Sequence, residues 1–296
     1  MALILAAGGC VGRQHQRQDD WVSVARREAI PLWQLAERVR GARIVILGET
    51  HALVEPIETL RLLLSETNRH RWTHVALEWS VSDQPALDRF MAGDDAVMKR
   101  FRKLYGQLPG ATVEYLETFS FIREGNRAHP DHALNLCAVD VPHPVRNVAE
   151  EERDRHMFTR IEQILEASPS HRVLVHCGNS HAAKCGLLEL PTRAGGKLPQ
   201  PTLGARLCRR YPGQVVSIHV ISRYDPMWWQ IQKEAPFLSP VVIPASPRWP
   251  DAASLGLPLW GLPLWHPDSP GRTVSAKAIF DYVVWWPTSR AGTREP

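Results

Sequence analysis

The sequence predicts an α/β fold: a central, mostly parallel sheet flanked by helices, with a Pro/Trp-rich C-terminal loop region. Two observations carry this. Six short segments rich in Val, Ile and Leu alternate with blocks of helical periodicity, and the first four segments are near-continuous apolar runs, as strands covered on both faces require. Alternating strands and helices are most economically parallel βαβ units.

The strands are expected over 43–48 (RIVILG), 73–78 (THVALE), 134–140 (LNLCAVD), 172–177 (RVLVHC), 214–221 (QVVSIHVI) and 278–285 (AIFDYVVW). Helices are expected between them. Residues 55–69 carry Pro56 in the first turn, where its missing N–H costs nothing. Residues 84–104 and 113–127 fill the gap between the second and third strands. Asn147 with Glu150 three positions on reads as a capping box opening a helix over 148–167. No linker-like stretch divides these blocks, so 21–296 is expected to form one α/β domain.

With 296 residues, 44% of them hydrophobic, the chain can bury a large core without disulfides or metal. Its net charge of +4 is spread along the chain with no long basic run, which argues against nucleic acid as a partner. Five cysteines show neither CxxC spacing nor a zinc-finger pattern. Residues 1–20 read as a leader. Within them MALILAAGGC resembles the end of a bacterial lipoprotein signal, which would place the protein in the cell envelope, membrane-attached through Cys10. The resemblance is incomplete, since no Lys or Arg precedes the apolar run; without lipidation the expectation is a cytoplasmic or periplasmic protein. No other stretch has the roughly 18 apolar residues of a membrane span. Residues 225–270 hold much of the tryptophan, including the tandem GLPLWGLPLW at 256–265. Packing of its own Trp rings in a Pro-stiffened loop is the expectation, ahead of a lid over an apolar substrate.

The ends of the first four strands are chemically alike. They read Gly48-Glu49-Thr50-His51, Leu77-Glu78-Trp79, Val139-Asp140-Val141 and Gly178-Asn179-Ser180-His181. A polar residue after a strand is ordinary, and a lone His is most often structural. In a parallel sheet, however, all four ends lie on one edge, where open α/β folds bind ligands. Glu49, His51, Glu78, Asp140 and His181 should therefore converge, at an electrostatic cost tolerated where chemistry or a cation uses it. Arg153 lies four and eight residues before Met157 and Ile161, on the inward stripe of its helix. There it would pair with Asp140, Glu78 or an anionic intermediate, or else only cover apolar surface.

The paired G-x-x-H motifs, Gly48–His51 and Gly178–His181, with Glu78 between them and Arg153–Met157 after them, resemble the superfamily that groups erythromycin esterases, the haem-binding ChaN-like lipoproteins and the TIKI/TraB proteins. The resemblance covers residues 40–185 and, more weakly, the last two predicted strands. The Cys10 motif leans toward the ChaN-like branch. It implies an α/β fold with Glu49, His51, Glu78 and His181 as the shared polar set. Within the superfamily that set serves macrolide lactone hydrolysis, metal-dependent proteolysis or haem binding in iron uptake.

Two functions follow as expectations. The first is a hydrolase of a small-molecule or peptide substrate, acting on an ester, lactone or peptide bond. His51 or Glu49 would be general base, Glu78 would orient, and His181 with Arg153 would stabilise the oxyanion. No G-x-S-x-G elbow is present, so water is the expected nucleophile. A divalent metal (Zn, Mn or Co), if one takes part, would take His51, His181 and one carboxylate, Glu78 or else Glu49, as ligands. The second is a haem-binding lipoprotein without catalysis.

Overall fold

The computed structural model of the chain describes residues 21–105, 112–144, 148–184, 187–191, 197–223, 225–246, 249, 264–266, 269–273 and 276–292. The leader, Cys10, Asn147 and most of GLPLWGLPLW lie outside them.

Eight strands form the main sheet: β1 (Ile30–Pro31), β2 (Ile44–Glu49), β3 (His74–Ser80), β4 (Asn135–Asp140), β5 (Val173–Gly178), β8 (Val215–Ile221), β9 (Val241–Pro244) and β12 (Tyr282–Trp285). Their order is β1-β9-β12-β8-β2-β5-β3-β4. The run from β12 to β4 is parallel throughout, and β9 is antiparallel to both β12 and β1. A second sheet holds β6 (Leu187–Pro191), β7 (Lys197–Pro201), β10 (Leu264–His266) and β11 (Ser269–Thr273).

Alternation along the central strands fills both faces. Ile44, Ile46, Val173 and Val175 pack with Met157, Ile161 and Leu165 of the Glu150–Ala167 helix. Val45, Leu47 and Leu174 pack on the opposite side with Ile57, Leu60, Phe119 and Ile122. This two-sided burial explains why the strands read as unbroken apolar runs.

Several expected elements are shorter than their patterns. The 55–69 block is two helices, Val54–Leu63 and Glu66–Arg69. The 84–104 block breaks after Met91, where Gly93 adopts φ 114°, and resumes at Ala96. A positive φ at Gly93 ends a helix at no steric cost. The last strand starts only at Tyr282, because Ala276–Ile279 is a helical turn. The Glu150–Ala167 helix has Ala149 at its N-cap with no side-chain cap bond.

The exposed edge of β4 is closed by one side chain. Gln84 donates to the Leu136 carbonyl at 2.9 Å and accepts from the Ala138 N–H at 2.7 Å, as a neighbouring strand would.

Candidate functional site

The parallel run delivers the ends of β2, β3, β4 and β5 to one edge of the sheet, as the sequence predicts. Their polar residues segregate into two groups.

The first is built on β2. Glu49 ends the strand, and His51 lies two residues on, in the turn before the Val54–Leu63 helix. The Nδ1–H of His51 donates to Glu49 Oε1 at 2.8 Å. Its side chain is 33% exposed while Glu49 is 7% exposed, so the imidazole is the solvent-facing member of the pair. His176 of β5 reaches the same carboxylate, with Nε2 3.2 Å from Glu49 Oε2 in a contact that lacks hydrogen-bond alignment. Tyr115 lies 5.6 Å from the His176 ring and stacks on Trp79 at 5.6 Å. Burial pushes the Glu49 carboxyl up, but the imidazoles of His176 and His51 together outweigh it and hold it down at about 2. Burial opposes protonation of His51, yet the hydrogen bond and charge of Glu49, with the charge of Glu78, raise it to about 9.

The second group surrounds Glu78. The β3–β4 register slips between Leu77 and Ser80, a bulge that carries Glu78 and Trp79. Such a bulge re-aims side chains. Glu78 Oε2 accepts from the Gly178 N–H at 2.7 Å, and Oε1 pairs with Arg153 and lies 3.5 Å from His181 Nε2. Arg153 grips Asp140 through Nε (3.1 and 3.2 Å) and Nη2 (2.6 Å). The guanidinium is thus an ion-pair partner of both carboxylates rather than a cover for apolar surface. His181 Nδ1–H donates to Asp154 Oδ1 at 2.7 Å, and that oxygen also accepts from the Leu203 N–H at 2.9 Å. Burial lifts Glu78, but His181, His51 and Arg153 bring it well below the carboxylate range. Burial lowers His181, but Asp154 and Glu78 more than reverse it and hold the ring well above the usual imidazole range.

Two glycines permit this closeness. A Cβ on Gly48 would meet Asn179 Oδ1 at 2.6 Å and Ala182 Cβ at 2.8 Å, so only glycine lets the Asn179–Ala182 turn sit over β2. A Cβ on Gly178 would lie 3.3 Å from His51 Nε2 and 3.5 Å from Glu78 Oε2, which shows how near the two groups come.

All six residues expected from the sequence stand in these two groups. Arg153 pairs with Glu78 and Asp140, and His181 lies between Glu78 and Asp154. Asp154 and His176 escaped the sequence reading. Asp154 had a signal, being next to Arg153 on a helix entering the site; His176 read simply as part of an apolar strand.

A metal ion does not fit the described residues. Among the described residues no three His, Cys, Asp or Glu side chains are placed to hold one ion. The positions a cation would neutralise, at Glu78 and Asp140, already carry Arg153. His51, Glu78 and His181 are neighbours but not a ligand set.

Among solved structures, a variant of the erythromycin esterase EreC in its open conformation matches with a TM-score of 0.60 at 13% identity, over 87% of this chain and 93% of that one. The chain has the erythromycin esterase fold. A structure described as a succinoglycan biosynthesis protein shares this fold, with a TM-score of 0.59 at 13% identity over 94% and 99% of the two chains. Haem-bound ChaN of Campylobacter jejuni is a looser likeness, with a TM-score of 0.35 at 10% identity over 86% and 91%. At 13% identity the first two likenesses show the fold alone. No family model matches the sequence, and no curated protein matches it.

Proposed function

We propose that the chain is a hydrolase that adds water to an ester, lactone or peptide bond without a metal. The observation that carries this reading is the Glu49–His51 hydrogen bond, which fixes a partly exposed imidazole at the carboxyl edge of the sheet. With Nδ1–H donating to Glu49, Nε2 is the nitrogen that accepts a proton. Water attacking a carbonyl carbon would give its proton to Nε2. The resulting imidazolium, stabilised by Glu49, would protonate the leaving alkoxide or amine as the tetrahedral intermediate collapses. Glu78, paired with Arg153 and 3.5 Å from His181, is the neighbouring carboxylate, and a Cβ on Gly178 would meet both it and His51 Nε2.

The likeness to EreC supports this at the level of fold only. The test is turnover of activated aryl esters, a macrolide lactone and a peptide panel by the wild type and by His51→Gln, with circular dichroism to verify the fold. Activity lost in the folded variant supports the reading; equal activity in both refutes it. A second reading takes the same imidazole as a haem ligand, since a carboxylate on Nδ1 is how ligating imidazoles are commonly oriented. A Soret band on haemin titration that His51→Ala abolishes, with no hydrolysis of any substrate, would replace the hydrolase by that reading.

A further inference from the structure

The helix that follows His51 begins without a cap of its own. Leu53 occupies the N-cap position and supplies no side-chain bond. A helix start needs acceptors for its first N–H groups. Here one comes from the other end of the chain: the Val54 N–H donates to the Arg290 carbonyl at 3.2 Å. Residues 286–292 run as a strap across this turn. Leu53 and Ala291 form an antiparallel bridge, and the Gly292 N–H donates to the Ala52 carbonyl at 2.8 Å. The Arg290 N–H donates to Glu55 Oε1 at 2.7 Å, and its guanidinium lies 3.4 Å from Glu55 and 2.7 Å from Glu58. Glu55 is 2% exposed, so Arg290 is the counter-ion of a buried carboxylate. Burial pushes the Glu55 carboxyl up and Arg290 opposes that, so losing Arg290 leaves the buried carboxyl without its cation.

The turn needs this support. Ala52 has φ 65°, a left-handed conformation that a side chain disfavours. On the strap's other side there is no slack, because a Cβ on Gly292 would overlap Thr112 Cγ2 and Cβ. Thr112 in turn caps the Val113–Ala128 helix that carries Tyr115. His51 is therefore held from one side by Glu49 and from the other by a turn whose next four residues are each bound to the strap.

We propose that Arg290, together with Ala291 and Gly292, is a positioning residue for His51: docking of the C-terminal strap orders the turn that aims the imidazole. The positional claim stands on the geometry; its effect on turnover rests on the hydrolase reading.

The test uses the full chain with Arg290→Ala, Arg290→Lys and Gly292→Ala. The readouts are NMR titration of the His51 ring, amide exchange at Val54 with Ile46 as core reference, and kcat and KM separately. Arg290→Ala is expected to speed Val54 exchange by roughly tenfold or more with Ile46 unchanged. It should also move the His51 titration from about 9 toward the ordinary 6.5 and lower kcat more than it changes KM. Arg290→Lys should restore part of each effect, and Gly292→Ala should reproduce them by an independent clash. If Arg290→Ala does not fold, the other two variants carry the same readouts. Unchanged His51 titration and Val54 exchange in folded Arg290→Ala or Gly292→Ala overturn the proposal. A wild type without hydrolytic activity whose His51 titration still moves in the variants refutes the hydrolase reading and leaves the strap standing.

Discussion

The imidazole of His51 donates to the carboxylate of Glu49, two positions back in the chain, over 2.8 Å. The raised titration of His51, at about 9, sets a sign for stability. Its folded-state value exceeds the ordinary 6.5, so the pair's contribution is fully present below pH 6.5 and is lost as pH rises through 9. Thermal unfolding across that window should show a fall in the wild type that is reduced in Glu49→Gln.

Glu49 predicts the opposite limb. Its value is depressed from 4.5 to about 2, so its contribution is present above pH 4.5 and is lost as pH falls toward 2. For a group this buried the shift amounts to about 3 kcal/mol. His176→Phe removes the imidazole that lowers Glu49 most, and acid denaturation should then start at higher pH. An unchanged acid midpoint would show that His176 does not act on Glu49.

Asp154 serves two donors with one oxygen, His181 Nδ1–H and the Leu203 N–H, and is 1% exposed. Asp154→Ala orphans both and leaves the His181 charge beside Glu78 without its second partner. A loss of about 3 kcal/mol in urea unfolding is expected. Asp154→Asn, which keeps an acceptor, should lose less.

Gly48→Ala places a methyl against Asn179 Oδ1 and Ala182 Cβ. Overpacking of this kind costs about 1–3 kcal/mol. The cost should appear with a drop in turnover, because the displaced turn carries His181. Gln84→Ala, which opens the β4 edge far from His51, should cost about 1–2 kcal/mol and leave turnover unchanged.

Dialysis against a chelator should not reduce activity, since the described residues offer no ligand set and Arg153 already neutralises Glu78 and Asp140. Restoration of lost activity by zinc, manganese or cobalt would contradict this.

The central sheet and the convergence at its edge were legible because both follow from local rules. Two-sided burial writes continuous apolar runs, and parallel pairing forces strand ends onto one edge. Arg153 was found by helical spacing from Met157 and Ile161. Three kinds of feature left no such mark. The antiparallel β9 is set by pairing with β12, and the two-residue β1 by pairing with β9, not by periodicity. His176 sits in VLVHC, where nothing distinguishes an imidazole facing a carboxylate from one in a core. The Arg290–Val54 cap joins residues 236 apart in sequence, so a helix start without Ser, Thr, Asp or Asn gives no hint of its partner.

The most direct measurement is the pH dependence of kcat/KM for an activated ester in the wild type, Glu49→Gln and His51→Gln. If His51 takes the proton from water, only about 1% of the free enzyme carries the basic form at pH 7, and the wild-type rate should climb about tenfold per pH unit before levelling near pH 9. Glu49→Gln should bring that plateau toward the ordinary imidazole range, and His51→Gln should abolish the limb. A rate that is flat between pH 6 and 9 in the wild type, or an identical profile in His51→Gln, would contradict the assignment.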